Sequence, residues 1–183
     1  MKNLHLQKDP FFNNFKDRIN DFSNLSEDDR IIVSVSGGLD SISLLLLLHN
    51  LDCFQLIVAH INHKLRCDSD SDEKFVKDLC AELKVPFYCT FLEPEKRDKK
   101  YSIEEWARVE RYSFLNQILE REKCHWIMTG HHANDQAETI LMNLSRKSGV
   151  TGLRGIAKMR NNILRPMLDF TKKEIRDFER LLR

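Results

Sequence analysis

Glycine and proline are scarce in this chain, with six and four among 183 residues. That scarcity excludes collagen-like and low-complexity Pro/Gly architectures. The five cysteines (Cys53, Cys67, Cys80, Cys89 and Cys124) are scattered, odd in number and never spaced C-x-x-C. This spacing argues against a zinc ribbon or a cysteine-held iron–sulfur cluster, and for reduced thiols in a cytoplasmic protein. No apolar run approaches a membrane span: the longest leucine run, Leu44 to Leu48, is far too short. Met1 to Phe15 mixes charges with aromatics and lacks the apolar core of a secretory signal. Internal repeats and low-complexity tracts are absent as well.

What remains is the composition of a soluble globular domain, 42% hydrophobic and 31% charged, long enough for one core. The net charge of +1 conceals an asymmetry. Arg146 to Arg183 carries eleven Lys/Arg against four Asp/Glu, whereas the preceding residues are net acidic. The basic quarter reads either as a surface that meets a polyanion or as a solvated helix face.

Strands and helices alternate in the pattern. β-branched or apolar runs predict strands at Ile31 to Ser36, Phe54 to Ile61, Phe87 to Leu92, His125 to Thr129 and Ile163 to Leu168. Between them, the 3.6-residue period predicts helices at Ser41 to Asn50, about Asp70 to Lys84, Ser102 to Arg121 and Asn134 to Arg146. A further helix covers Pro10 to Phe22, and a last one Thr171 to Arg183, with Thr171 and Glu174 placed as a capping box. Alternation of this kind implies an α/β, doubly wound, Rossmann-like fold: a parallel five-stranded sheet covered on both faces. Ligands in such sheets bind outside the carboxyl ends of the strands.

The chemistry-bearing residues fall at those ends. Ser36-Gly37-Gly38-Leu39-Asp40-Ser41 joins the first strand to a helix start. Two residues without Cβ let backbone N–H groups curl around an anion, and the helix N-terminus adds partial positive charge. Asp40 is badly placed for a phosphate unless a divalent cation lies between, which points to Mg²⁺. On the helix after Gly130, Asp135 and Glu138 are three residues apart and share a face, suited to holding Mg²⁺ or to general-base work. Arg108 and Arg111, also three apart, present two guanidinium forks to phosphate or to developing negative charge, or else pair with Glu104, Glu105 or Glu110. His60, His63, His131 and His132 lack a zinc spacing and read as hydrogen-bonding groups for a nucleotide, free or within a nucleic acid. The Phe11–Phe22 stripe reads as core or docking surface, and Trp106 as packed on the sheet.

The S-G-G-x-D-S loop resembles that of the PP-loop ATP pyrophosphatases, which split ATP to AMP and pyrophosphate. Four more segments resemble the tRNA(Ile)-lysidine synthase family. Ala59 to Arg66 is similar to HVNHGLR, Ser102 to Tyr112 to NxExxARxxRY, and Thr129 to Thr139 to TGHHxxDQxET. Arg146 to Leu153 with Leu164-Arg165-Pro166 resembles RGSGxxGL and RPL. Lys147 and Lys64 replace family glycines, and Ser102 a usual Asn. That family normally continues into a further tRNA-binding domain, which this chain is expected to lack, leaving one PP-loop domain over 1–183 with an N-terminal helical extension over about 1–25.

The resemblance implies a ligase that adenylates the C2 oxygen of the wobble cytidine of AUA-decoding tRNA(Ile). Free lysine then displaces AMP to give lysidine. It implies an ATP-binding set of Ser36, Gly37, Gly38, Leu39, Asp40, Ser41, Ala59, Asn62, Gly130 and His131, with the segment Ala59 to Asn62 meeting adenine and ribose. Mg²⁺ would sit on Asp40 and Asp135, and the catalytic set would be Asp40, Arg108, Arg111, Asp135 and Glu138. The implied partners are tRNA(Ile) and lysine, with no membrane and with a homodimer left open. A tRNA thiolase of the same superfamily, or a catalytically silent nucleotide- or tRNA-binding fragment, stands as the alternative.

Overall fold

β1 (Arg30–Ser34) is the hub of the sheet, paired in parallel with β2 (Gln55–Asn62) on one side and β4 (Trp126–Thr129) on the other. Its central residues, Ile31, Ile32 and Val33, are all apolar and buried because both of its faces are covered. β3 (Phe87–Phe91) extends the sheet beyond β2. Beyond β4 lie β6 (Ile163–Leu164), parallel, and β5 (Met159–Arg160), antiparallel at the edge, for the order β3-β2-β1-β4-β6-β5. These relations come from a computed structural model that describes residues 6–62, 69–93, 95, 97, 100–145 and 154–182.

Among the described residues the sheet therefore has six strands, not the five expected: five are parallel and the sixth is antiparallel. β5 and β6 form a hairpin turned at Asn161, whose φ is +54°. Two-residue strands are too short to display a period of two, so β5 leaves no pattern to read. The fifth expected strand stops at Leu164, before Pro166, which has no N–H to give to a ladder.

The helices are α1 (Pro10–Asn20), α2 (Leu39–Leu51), α3 (Ser69–Leu83), α4 (Ile103–Arg121), α5 (Ala133–Ser145) and α6 (Lys172–Leu182). Alternation along the strands divides the core in two. Ile31, Val33, Val58 and Met128 face the leucines of α2 with Phe15, Val76, Ile175 and Phe178. Ile32, Ile57, Ala59 and Ile127 face Leu115 and Ile118 of α4. The Phe stripe of α1 belongs to the core: Phe12 and Phe15 are buried in it, and the Phe11 ring lies 4.8 Å from Phe170 and 4.9 Å from Phe178. Trp106 packs beside Ile61, Leu92 and Ala107.

Helix starts follow local chemistry. Asp9 accepts from the Phe11 and Phe12 N–H groups ahead of Pro10. Ser102 and Glu105 close a capping box on α4, and Thr171 and Glu174 close the expected one on α6.

Candidate nucleotide site

The chain leaves β1 at Ser34 and enters α2 at Leu39, so the Ser36–Ser41 loop lies at the carboxyl edge of the sheet. Internal hydrogen bonds hold it. The Ser36 N–H donates to Ser41 Oγ at 3.1 Å, the Gly38 N–H donates to Ser36 Oγ at 3.3 Å, and the Ser41 hydroxyl donates to the Gly38 carbonyl at 2.9 Å. Gly38 is the N-cap of α2 and supplies no side chain to its first turn. The exposed N-terminal N–H groups and the helix dipole are thus available to an anion. Gly37 has φ +89°, and a β-carbon there would lie 3.0 Å from Asp72 Cβ on α3, so both conformation and space call for glycine.

This loop closes one side of a cavity of about 310 Å³ whose wall includes Ser36, Gly38, Asp40, Ser41, Arg111, Gly130, His131 and Asp135. Sequence reasoning had singled out all eight. The wall also takes in Ile61, inside the Ala59–Asn62 segment expected to meet adenine and ribose, and Ser34, Val35, Tyr112 and Thr129, which had not been singled out. Ser34, Val35, Ile61 and Thr129 lie at or next to the ends of β1, β2 and β4, where the strand-end rule points. A larger cavity of about 690 Å³ lies between α1 and the end of α2, lined by Phe12, Lys16, Cys53 and Phe54 among others. It takes in part of the Phe stripe and none of the expected site residues.

Six expected site residues are not part of the cavity wall. Gly37 and Leu39 belong to the loop but face elsewhere, Gly37 toward Asp72 and Leu39 toward the core. Ala59 is fully buried in β2. The buried Asn62 side chain donates to Asp70 and Glu73, both at 2.9 Å, tying β2 to the start of α3. Arg108 is exposed, its guanidinium 5.8 Å above the Tyr112 ring. Glu138 is exposed on α5. His60, expected to meet a nucleotide or tRNA, instead places Nδ1 2.8 Å from the Val35 carbonyl. His63 to Arg66, Cys67 and Arg146 to Leu153 lie outside the described residues.

Charge within the cavity is arranged around two histidines. Nδ1 of His131 is 2.8 Å from Thr129 Oγ1. Burial, and then the nearby Arg165 cation, push its pKa down to about 4 against the pull of Asp135, so the ring is neutral at pH 7. His132 is the residue preceding α5; its N–H donates to Asp135 Oδ2 at 2.9 Å and its Nε2 lies 3.5 Å from Asp40 Oδ2. Burial also draws Arg111 below the usual arginine range, though a guanidinium keeps its proton in proteins. Asp40 Oδ1 is buried and, among the described residues, has no hydrogen-bond partner. The cavity therefore joins an anion-receptive helix start, a fixed cation and two carboxylates.

A strand-end loop and cavity of this kind define a nucleotide-binding α/β domain, and the chain belongs to the PP-loop domain family, whose model matches residues 11–183. Two curated relatives are named tRNA(Ile)-lysidine synthase. The one from Clostridium tetani is 42% identical over 167 residues, 87% of this chain and 36% of that protein. The one from Chlorobaculum tepidum is 45% identical over 154 residues, 80% of this chain and 46% of that protein. The chain thus spans less than half the length of either relative. Among solved structures, the U34-tRNA thiolase NcsA from Methanococcus maripaludis superposes with TM-score 0.78 at 18% identity, over 96% of this chain and 65% of that one. That likeness concerns the fold.

Proposed function

We propose that this chain is the ATP-using domain of a tRNA(Ile)-lysidine synthase, a ligase that joins lysine to C2 of the wobble cytidine. The observation that carries the reading is the Ser36–Ser41 loop at the N-terminus of α2, facing Asp135 across one cavity. The curated relatives' names and the agreement over most of this chain support the choice of reaction.

The N–H groups at the start of α2 bind the β- and γ-phosphates, while the Ser36 and Ser41 hydroxyls hold the loop in shape, and the α2 dipole stabilises the pyrophosphate as it departs. Arg111 lies across the cavity and stabilises negative charge at the α-phosphate. The cytidine O2 attacks the α-phosphorus as the bond to pyrophosphate breaks, leaving an adenylated base. The lysine ε-amine, deprotonated, adds at C2, and AMP departs with the oxygen. Asp135, at the cavity wall, takes the amine proton. Glu138, exposed on the same helix, is next in line if the substrates bring the amine to it, and Arg108 is placed to brace the tRNA. Ala59 and Asn62 act by shaping the β2 end that adenine and ribose meet.

The donor set suits Mg²⁺. The orphaned Asp40 Oδ1 is a ready ligand atom, and Mg²⁺ is commonly held by one or two carboxylates with phosphate oxygens and water completing the shell. Among the described residues no three His, Cys, Asp or Glu side chains cluster as a self-sufficient metal site. Asp40 and Asp135 would hold the ion, which would neutralise phosphate charge.

The partners follow from this reaction: ATP, free lysine and tRNA(Ile), in the cytoplasm. Exposed Arg154, Lys158, Arg160, Lys172, Lys173, Arg176 and Arg180 offer the polyanion a basic surface. Among the described residues no helix is long and apolar enough to cross a membrane. A thiolase reading finds less support, since no described cysteine lines the cavity. The test is incorporation of labelled lysine into an unmodified tRNA(Ile) transcript with ATP. Binding of ATP and tRNA without incorporation would favour the silent fragment.

A further inference from the structure

We infer that His132 is a positioning residue that fixes the Asp40 carboxylate for a divalent cation, an inference that rests on the nucleotide reading above. Its side chain is 5% exposed and stands between the first turns of α2 and α5. On one side, Nδ1 is 3.4 Å from the Asp135 N–H, which donates to it. A nitrogen that accepts carries no proton, so the network assigns the proton to Nε2. Nε2 faces Asp40 Oδ2 at 3.5 Å. The other carboxylate oxygen, Oδ1, is the buried atom without a partner. One oxygen of Asp40 is thus turned to the histidine and the other is left for a ligand.

The same residue reaches the second carboxylate. The His132 backbone N–H donates to Asp135 Oδ2 at 2.9 Å. Asp40 and Asp135 come from helices that follow different strands, and His132 is where their orientations are linked. Groups that orient metal-binding carboxylates from behind matter nearly as much as the ligands themselves.

A simpler role is available, because His132 also caps α5, and two substitutions separate the roles. The Asn side-chain oxygen reproduces the position of Nδ1 and caps helices well, but cannot reach Asp40. The Gln amide nitrogen reproduces the position of Nε2 and reaches Asp40, but caps poorly. ATP binding to the 183-residue chain is measured by calorimetry with Mg²⁺ and with EDTA, alongside thermal melts. His132→Asn should melt close to wild type yet bind ATP about 10- to 100-fold more weakly in Mg²⁺, with no difference from wild type in EDTA. His132→Gln should melt lower and restore much of the Mg²⁺-dependent affinity. Wild-type affinity of His132→Asn in Mg²⁺, or an equal loss with and without the ion, would overturn the inference and leave His132 as a cap. If His132→Gln does not fold, the Asn variant alone decides. A wild-type chain that binds no ATP would overturn the nucleotide reading, and this inference with it.

Discussion

A β-carbon on Gly130 would lie 3.1 Å from the carbonyl oxygen of Asp40. The end of β4 is therefore pressed against the first turn of α2, and the two halves of the cavity meet backbone to backbone. Backbone cannot rotate away as a side chain can. Gly130→Ala should destabilise the fold by ~1–3 kcal/mol, the scale of overpacking, and weaken ATP binding. Gly38→Ala is the control: its new carbon would meet only Ser36 Oγ at 3.4 Å, and the loss should stay under about 1 kcal/mol. Chemical denaturation of both variants makes the comparison, and equal losses would count against the close approach.

Asp40→Asn removes the charge while keeping size. ATP affinity should fall about 10- to 100-fold in Mg²⁺, the scale for disturbing a metal ligand shell, and far less in EDTA. Ser41→Ala should weaken binding under both conditions, because the hydroxyl holds the loop through the Gly38 carbonyl. Calorimetry checks each, and wild-type affinity in both variants would remove the loop from the site.

Asp135→Asn should separate chemistry from binding. An Asn oxygen can still accept the His132 N–H, so the start of α5 should persist. Lysidine formation should drop by about 10² or more, the usual scale for losing a general base, while tRNA affinity survives. Normal turnover would leave Asp135 as a cap and move attention to Glu138.

His131 carries a pH signature. Its folded pKa is about 4, lowered from 6.5 chiefly by burial. Between these values the unfolded chain binds a proton that the native ring refuses, so stability should fall as pH drops from about 6.5 towards 4. His131→Gln should show a shallower decline over that window. Parallel curves from melts across pH would show that other groups govern the acid limb.

Binding of tRNA should weaken with salt, since each phosphate neutralised contributes a slope of about −0.7 to −0.9 in log K against log salt. Reversing Arg160 and Arg176 to Glu, both exposed, should flatten the slope. A slope unchanged by the reversals would place the tRNA on another face.

How much of this could be read from the chain varies with the range of the physics. The strand before Gly37, the loop and the capping pair Thr171 and Glu174 depend on neighbours within a few residues. Their signals survive in one dimension. β5 escaped because two residues carry no period. The wall residue Tyr112 escaped because a tyrosine on a helix looks the same whether it lines a cavity or fills a core. Asn62 and Glu138 were placed in the site by motif position, yet one is spent tying α3 to β2 and the other faces solvent.

The order of apolar runs and turn residues by itself determined the α/β class, the crossover pattern, and the strand end at which an anion would bind, because periodicity and backbone freedom are local properties. Only the folded arrangement decided that His132 stands between Asp40 and Asp135, and that Arg165 is buried close enough for its charge to act on His131. Those relations join residues up to ninety-odd positions apart, across β1 and β4 and the helices that follow them. The register of the sheet sets them, and no spacing along the chain encodes a distance across it.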